Sequence, residues 1–170
     1  AISAYQTAYV LTPDDIDIYV NLGSAFYDKE DYNNALAVYR QALELQPYNA
    51  KIHCNLGFLY WGKGDTEEAI KSYELAIKYN KNYDIAYNNL GVIYLDDLGR
   101  VNKAIELFKN AVDANPNYAL AHFNLARATS IVGDKVEAAK LYQTAQDINK
   151  ITQEIDPRDI ADKISELFES

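Results

Sequence analysis

The sequence is short of several residue types that mark particular protein classes. Its single cysteine, Cys54, excludes an internal disulfide framework. Its 16 Lys and Arg residues are outnumbered by 25 Asp and Glu residues, so the formal net charge is −9. That shortage of basic residues argues against a general nucleic-acid or anionic-membrane binder and favours neutral or basic partners. No apolar run approaches the ~20 residues that a membrane-spanning helix needs.

The chain also has no methionine, not even at position 1. We therefore expect it to derive from a longer gene product or from processing, in which case a leader segment would not be visible. The 170 residues are 49% hydrophobic and 24% charged, which suits one well-buried folded domain.

The sequence also lacks the usual marks of catalysis. It has no glycine-rich phosphate loop and no Cys-x-x-Cys pair. Cys54 follows His53 directly, but neighbouring residues on a helix point about 100° apart and no third orienting group is evident. His53 and His122 are too far apart in sequence to share a metal, and we interpret both as packing residues. We predict no enzyme activity, no catalytic residue, no cofactor and no metal site.

What the sequence does contain is a repeat. The stretch YVNLG at 19–23 returns as HCNLG at 53–57, YNNLG at 87–91 and HFNLA at 122–126. The small residues that end these stretches are 34, 34 and 35 positions apart. We predict that the extra residue of the third repeat lies in the turn at 96–100.

Each repeat carries two apolar stripes with helical spacing. The first repeat shows them as Tyr19, Leu22 and Phe26, and then as Ala35, Tyr39 and Ala42. Positions three, four and seven apart share one face of a helix, so each stripe predicts a helix that packs on the other. The Gly or Ala beside the Leu is expected to allow close approach of the second helix.

This 34-residue pattern resembles the tetratricopeptide repeat (TPR) family, whose unit is a helix–turn–helix. The resemblance implies an all-α fold: a right-handed α-solenoid, or TPR superhelix, of antiparallel helix pairs with about ten helices. Its first helices would line a concave groove. We expect a single domain over 1–170, made of the second helix of a truncated repeat at 1–13, four repeats at 16–49, 50–83, 84–118 and 119–150, and a C-terminal capping helix at 156–170.

The sequence also suggests where helices begin. Asp14 or Asp15, Asn49, Asn82 and Asn117 are N-cap candidates for the first helix of each repeat. Asp156 followed by Pro157 is a typical start for the capping helix. Its predicted apolar stripe consists of Ile160, Ile164, Leu167 and Phe168.

TPR resemblance implies that positions off the packing stripe of each first helix face the groove. Relative to the small residue, these are three and two before it and one, four and five after it. Asparagine recurs two before it, at Asn21, Asn55, Asn89 and Asn124. A primary amide can bond both N–H and C=O of an extended peptide, and this ladder resembles that of the TPR arm of O-linked N-acetylglucosamine transferases. The alternative is that the amides only hydrate the groove.

A second set of candidate groove residues is apolar. We predict an aromatic-rich floor that anchors partner side chains, since large apolar patches are rarely exposed without a use and Trp is common at binding hot spots. Its members are Tyr27, Phe58, Trp61, Leu95 and Phe123. The alternative is that these side chains pack between neighbouring repeats.

Charged residues argue against one familiar TPR binding mode. Carboxylate-clamp domains hold an acidic C-terminal tail with Lys and Arg on the inner surface. Here Lys51 and Arg127 are the only evident inner cations, and the latter joins the predicted groove. Nearby acidic residues would repel such a tail: Asp17, Asp28 and Asp96.

The sequence therefore predicts a non-enzymatic scaffold that binds an extended peptide or helix of a partner protein in the groove, with no nucleic-acid or membrane partner. One alternative is the substrate-recognition arm of a larger enzyme such as a glycosyltransferase. Another is a self-associating module that forms a homodimer through an exposed N-terminal helix face at Ile2, Tyr5, Tyr9 or Val10.

Overall fold

A computed structural model describes residues 15–168, and within them the chain forms nine α-helices and no strand. The helices are α1 (Ile16–Tyr27), α2 (Tyr32–Leu45), α3 (Ala50–Lys63), α4 (Thr66–Tyr79), α5 (Asp84–Val92), α6 (Val101–Ala114), α7 (Ala119–Ile131), α8 (Lys135–Thr152) and α9 (Pro157–Glu166). The all-α fold predicted from the sequence is confirmed. The helix predicted at 1–13, and with it the proposed self-association face, lies outside the described residues.

The helices belong to two compact units, Ala1–Lys81 and Asn82–Ser170. In the first unit α1 packs on α2 and α3 on α4. In the second, α5 packs on α6, α7 on α8, and α9 on α8. Short turns join the members of each pair, so consecutive helices run antiparallel.

The small residue of each repeat receives an aromatic ring from the second helix. A Cβ on Gly57 would lie 2.8 Å from the Tyr73 ring, and one on Gly91 would lie 2.6 Å from the Phe108 ring. Both rings are fully buried. Glycine therefore lets the paired helices close on each other, as the sequence predicts, and the fourth repeat places Ala126 in the same core cluster as Tyr142.

The turn between the paired helices has the same backbone form in three repeats. A main-chain N–H donates to the carbonyl oxygen five residues earlier, from Asp31 to Phe26 at 3.0 Å and from Asp65 to Tyr60 at 2.9 Å. The residue before each donor has positive φ. This is the Schellman arrangement, which pairs carbonyls that a helix end leaves free.

The third repeat widens this turn by one residue. Arg100 N–H donates to the carbonyl of Tyr94, six residues earlier, at 2.7 Å. A π-helical segment, Ile93–Asp97, precedes it, with Leu98 N–H donating to Ile93 O at 3.2 Å. The extra residue is thus accommodated from the end of the first helix onward, beginning earlier than the 96–100 turn predicted from the sequence.

Two of the predicted N-caps are wrong by one residue. Asp15, Asn49 and Asp156 each accept a hydrogen bond from a main-chain N–H of the helix they precede. The N-cap positions of α5 and α7 are instead Tyr83 and Tyr118, and neither side chain makes a cap bond. The prediction favoured Asn82 and Asn117 by residue type, whereas the repeat count from Asn49 leads to the tyrosines.

The C-terminal helix closes the core of the second unit. Ile160 and Leu167 of the α9 segment are buried against Ala126, Ala138 and Tyr142. α9 ends at Glu166, and Phe168 is 71% exposed, so this member of the predicted apolar stripe does not pack.

Candidate functional site

The four asparagines of the predicted ladder differ in exposure. Asn21 is exposed, and Asn55 and Asn89 are half-buried. Asn124 is only 3% exposed. The structure therefore corrects the expectation of four open amides: three reach the surface, and the Asn124 amide is enclosed.

Aromatic residues meet on the surface of the first unit. The rings of Tyr27 on α1 and Phe58 on α3 are 4.8 Å apart between centroids, and Tyr32 lies 5.5 Å from Tyr27 on its other side. Phe58 is 42% exposed and Trp61 is half-buried. Both side chains are thus accessible at the surface of the first unit.

Gly62 makes room for the Tyr27 ring. A Cβ at this position would lie 2.8 Å from Cε2 of Tyr27, so any larger residue would push the ring away. Burial is the main cause that raises the pKa of Tyr27, with nearby Tyr32 and Asp28 adding to it. The phenol therefore stays neutral at physiological pH.

The other two predicted floor residues serve packing. Leu95 is 6% exposed and lies in the core cluster that contains Phe108 and Leu125. Phe123 is half-buried and meets Tyr142 edge-on, with ring centroids 5.5 Å apart. Because Leu95 is buried in the core of the second unit, it is not accessible to a side chain of a partner.

One predicted groove position is buried in three repeats. The residue three before the small residue is 6% exposed at Val20, 3% at Cys54 and 1% at Asn88. At this position only Phe123 retains partial exposure among the four repeats. Cys54 is therefore a packing residue and does not line a groove.

The two predicted inner cations, Lys51 and Arg127, are engaged by carboxylates. Lys51 Nζ lies 2.8 Å from Asp17, which occupies the same position one repeat earlier. Arg127 lies 2.9 Å from Asp96. Neither cation is thus left uncompensated for an acidic tail, in keeping with the charge argument from the sequence.

A line of polar side chains connects α5 and α7 in the second unit. Arg127 donates to Oδ1 of Asn124 at 3.2 Å, and Asn124 Nδ2 donates to Oδ1 of Asn88 at 2.9 Å. Asn88 Nδ2 in turn donates to Oδ1 of Asn89 at 3.3 Å. The sequence places each of these residues at a predicted groove position. The hydrogen bonds between them depend on how two repeats pack, and no sequence pattern predicts them.

The two histidines join each first helix to the turn before it. The Nε2 atoms of His53 and His122 lie 2.9 and 3.0 Å from the carbonyl oxygens of Pro47 and Pro116. Since a carbonyl only accepts, Nε2 carries the proton in both rings. Within residues 15–168 no cluster of three or more His, Cys, Asp or Glu side chains could hold a metal ion.

A surface depression of the second unit lies elsewhere. It has a volume of about 540 Å³ and is formed where α8 meets α9, next to Asn149 and Ile155. Those two residues are already hydrogen-bonded to each other. None of the described helices combines the length and apolarity that a bilayer crossing would require.

Sequence profiles and solved structures agree on the kind of repeat. The TPR repeat profile matches residues 23–64 and 62–97, and the tetratricopeptide repeat profile matches residues 93–150. No curated protein matches the chain.

Among solved structures, a crystal structure of MamA is 25% identical, with a TM-score of 0.72 over 91% of this chain and 90% of that one. A second MamA crystal structure is 26% identical, with a TM-score of 0.68 over 92% and 86%. PilF of Pseudomonas aeruginosa is 20% identical, with a TM-score of 0.75 over 94% and 78%, and this likeness concerns the fold alone.

Proposed function

Because the chain belongs to the tetratricopeptide repeat family and is a protein-interaction scaffold of that kind, we propose that it binds an extended peptide segment of a partner protein on its first helices. Backbone contacts come from amides that reach the surface within each unit: Asn21 and Asn55 in the first unit, and Asn89 in the second. Side-chain anchoring comes from Tyr27, Phe58 and Trp61 in the first unit.

The observation that carries this proposal is the exposure of Phe58 beside Tyr27. An aromatic side chain on a helix normally packs into the core, yet Phe58 is 42% exposed, and its ring centroid lies 4.8 Å from a tilted ring of the neighbouring repeat. Asn55 lies three residues earlier on the same helix face. A hydrogen-bonding amide next to an exposed apolar surface suits a peptide that offers both backbone and side chain.

Charge supports a neutral or basic peptide. The chain has a formal net charge of −9, and Lys51 and Arg127 are both paired with carboxylates. An acidic peptide would meet repulsion that no free cation on these helices offsets, whereas a basic one would be attracted over the range of a Debye length.

The test is selection of binders from a displayed library of random 12-residue peptides, followed by calorimetry with the best peptide. Phe58→Ala is expected to weaken its binding at least tenfold, about 1.4 kcal/mol, because a hot-spot ring is removed. Trp61 is the only Trp of the chain, so its fluorescence gives a second readout.

Matched controls separate the site from the rest of the surface. Asn55→Ala is expected to weaken binding threefold or more, while Asn102→Ala, an exposed asparagine on α6, should leave it within twofold. Equal affinities for Phe58→Ala, Asn55→Ala and the unchanged protein would refute the proposed peptide site.

A further inference from the structure

We propose that Arg127 sets the orientation of the Asn89 amide through two intervening asparagines, so that Asn89 acts as a hydrogen-bond donor to a neutral carbonyl oxygen of the partner. The inference rests on the proposed peptide-binding function and deepens it. The Asn89 amide would recognise a carbonyl oxygen of the peptide. Arg127 would position that amide without touching the peptide itself.

The starting point is that a guanidinium can only donate. Arg127 Nη1 lies 3.2 Å from the Asn124 amide, so the atom of Asn124 that faces it is the oxygen. The Nδ2 of Asn124 is then turned the other way, toward Asn88.

The next two amides are oriented by the same pairing of donor with acceptor. Asn124 Nδ2 lies 2.9 Å from Asn88, so the facing atom of Asn88 is its oxygen. Asn88 Nδ2 is therefore left to donate to Asn89, whose Oδ1 lies 3.3 Å away. Three amides thus share one direction, which is fixed at the Arg127 end.

Burial makes this direction costly to reverse. Asn88 is 1% exposed and Asn124 is 3% exposed, so water does not readily replace a lost partner. Turning either amide by 180° would place two donors or two acceptors face to face. A buried polar group that loses its hydrogen-bond partner is strongly disfavoured, so the three amides turn together or not at all.

Asp96 holds the donor end in place. Its two carboxylate oxygens lie 2.9 and 3.5 Å from the Arg127 guanidinium. Asp96 comes from the π-helical segment Ile93–Asp97, where the widened turn of the third repeat begins. The carboxylate also compensates the charge of Arg127, so the line of amides ends without a free cation.

At the other end, Asn89 is half-buried and its oxygen is already used by Asn88. Its Nδ2 protons are what it presents to a ligand, and these require an acceptor. A carboxylate or phosphate is disfavoured by Asp96 and by the net charge of −9. A peptide carbonyl oxygen is the neutral acceptor that an extended partner offers at every residue.

The first unit lacks the corresponding residues, which provides an internal comparison. One pair of repeats earlier, the positions of Asn88 and Arg127 are occupied by Val20 of the first repeat and Phe58 of the second. Neither side chain has a polar atom, so the corresponding amide, Asn21, is not oriented in this way. The inferred donor role is specific to Asn89.

The orientation is tested in the free protein by side-chain amide exchange in 15N-labelled samples. The Nδ2 protons of Asn88 and Asn124 are expected to exchange at least tenfold more slowly than those of Asn89. Arg127→Met should accelerate Asn124 and Asn88, whereas Arg127→Lys, which keeps a cationic donor, should restore part of the protection. Fast exchange at all three amides, or no change in Arg127→Met, would overturn the orientation.

The ligand is tested with the peptide selected from the 12-residue library. Asn89→Asp keeps an acceptor for Asn88 but removes the donor, and it should weaken binding at least tenfold. Asn102→Asp makes the same change of charge on α6 and should stay within twofold. If Phe58→Ala abolishes binding while Asn89→Asp does not, this inference fails and the proposed function stands. If no peptide binds, the proposed function fails and the inferred carbonyl ligand fails with it, while amide exchange still decides the orientation.

Discussion

At the scale of single residues, one backbone position recurs with left-handed geometry. It is the residue that ends each first-helix turn, and φ there is 60° at Glu30, 85° at Gly64, 62° at Gly99 and 92° at Gly133. Glycine adopts this conformation without strain, whereas a residue with a Cβ does so at a cost of about 1–2 kcal/mol. The first repeat therefore carries a local strain that the others avoid.

Replacing that residue should stabilise the protein. Glu30→Gly is expected to raise the free energy of unfolding by about 1 kcal/mol, since relief of strain exceeds the entropy that glycine loses on folding. Glu30 is exposed, so little packing is lost. Urea denaturation measures the change, and the reverse substitution Gly64→Glu should lower stability by a similar amount. A lower unfolding midpoint for Glu30→Gly would contradict this account.

The asparagines also show why the binding site could be predicted only in part from the sequence. The four asparagines are evident from their spacing, but the burial of Asn124 depends on Asn88 and Arg127, which lie on different repeats. Repeat spacing predicts which face of a helix a residue occupies, and it contains no information on which partner a neighbouring repeat brings to that face. The proposed groove role of Asn21, Asn55 and Asn89 stays a prediction.

At the scale of helices and turns, one asparagine ties the capping helix to the last repeat. Asn149 on α8 donates from Nδ2 to the carbonyl of Ile155 at 2.7 Å and accepts from the N–H of the same residue at 2.9 Å. The residue is 4% exposed. These two hydrogen bonds to the main chain of one residue fix the link that precedes α9.

Removing this amide should loosen α9 first. Asn149→Ala is expected to lower the free energy of unfolding by about 2 kcal/mol, because it leaves two main-chain groups without partners. Thermal unfolding measures the loss. The substitution should accelerate amide hydrogen exchange at Ile160 in α9 more than it accelerates exchange in α7. Asn110→Ala, an exposed asparagine on α6, is the matched control. Unchanged stability and exchange would show that water replaces the bond.

Helices were more predictable than their ends. Periodic apolar residues predicted the described helices and the capping helix, since burial of a stripe is the main term in their stability. The N-caps Tyr83 and Tyr118 were missed because neither side chain makes a capping hydrogen bond that would favour it there. The π-helical start of the third turn was missed because an added residue can be placed anywhere between two packing stripes.

At the scale of the whole molecule, the predicted TPR membership and all-α fold are confirmed. Alkaline pH is expected to destabilise the fold through one buried tyrosine. Burial raises the pKa of Tyr142 to about 12. An unfolded tyrosine ionises near pH 10, so between pH 10 and 12 the unfolded state loses its proton first. Stability is unaffected by this group below pH 10 and falls as the pH rises toward 12.

The expected loss is about 2–3 kcal/mol across that interval. Urea denaturation at several pH values measures it, with tyrosinate absorbance reporting ionisation. Tyr142→Phe has no phenol to ionise and should show a correspondingly smaller decline. Parallel declines in the two proteins would assign alkaline unfolding to general charge repulsion instead, since the chain already carries a formal net charge of −9.

The widened turn between Tyr94 and Arg100 has a practical consequence. One residue has been added there, and α6 nevertheless begins with its Ala104 and Phe108 in the register that the other repeats use. The number of residues in this turn can therefore vary, whereas the register of the helix that follows it cannot. Leu98 and Gly99 are therefore a suitable site for inserting an epitope or a fluorescent tag, because this turn already contains one residue more than the turns of the other repeats.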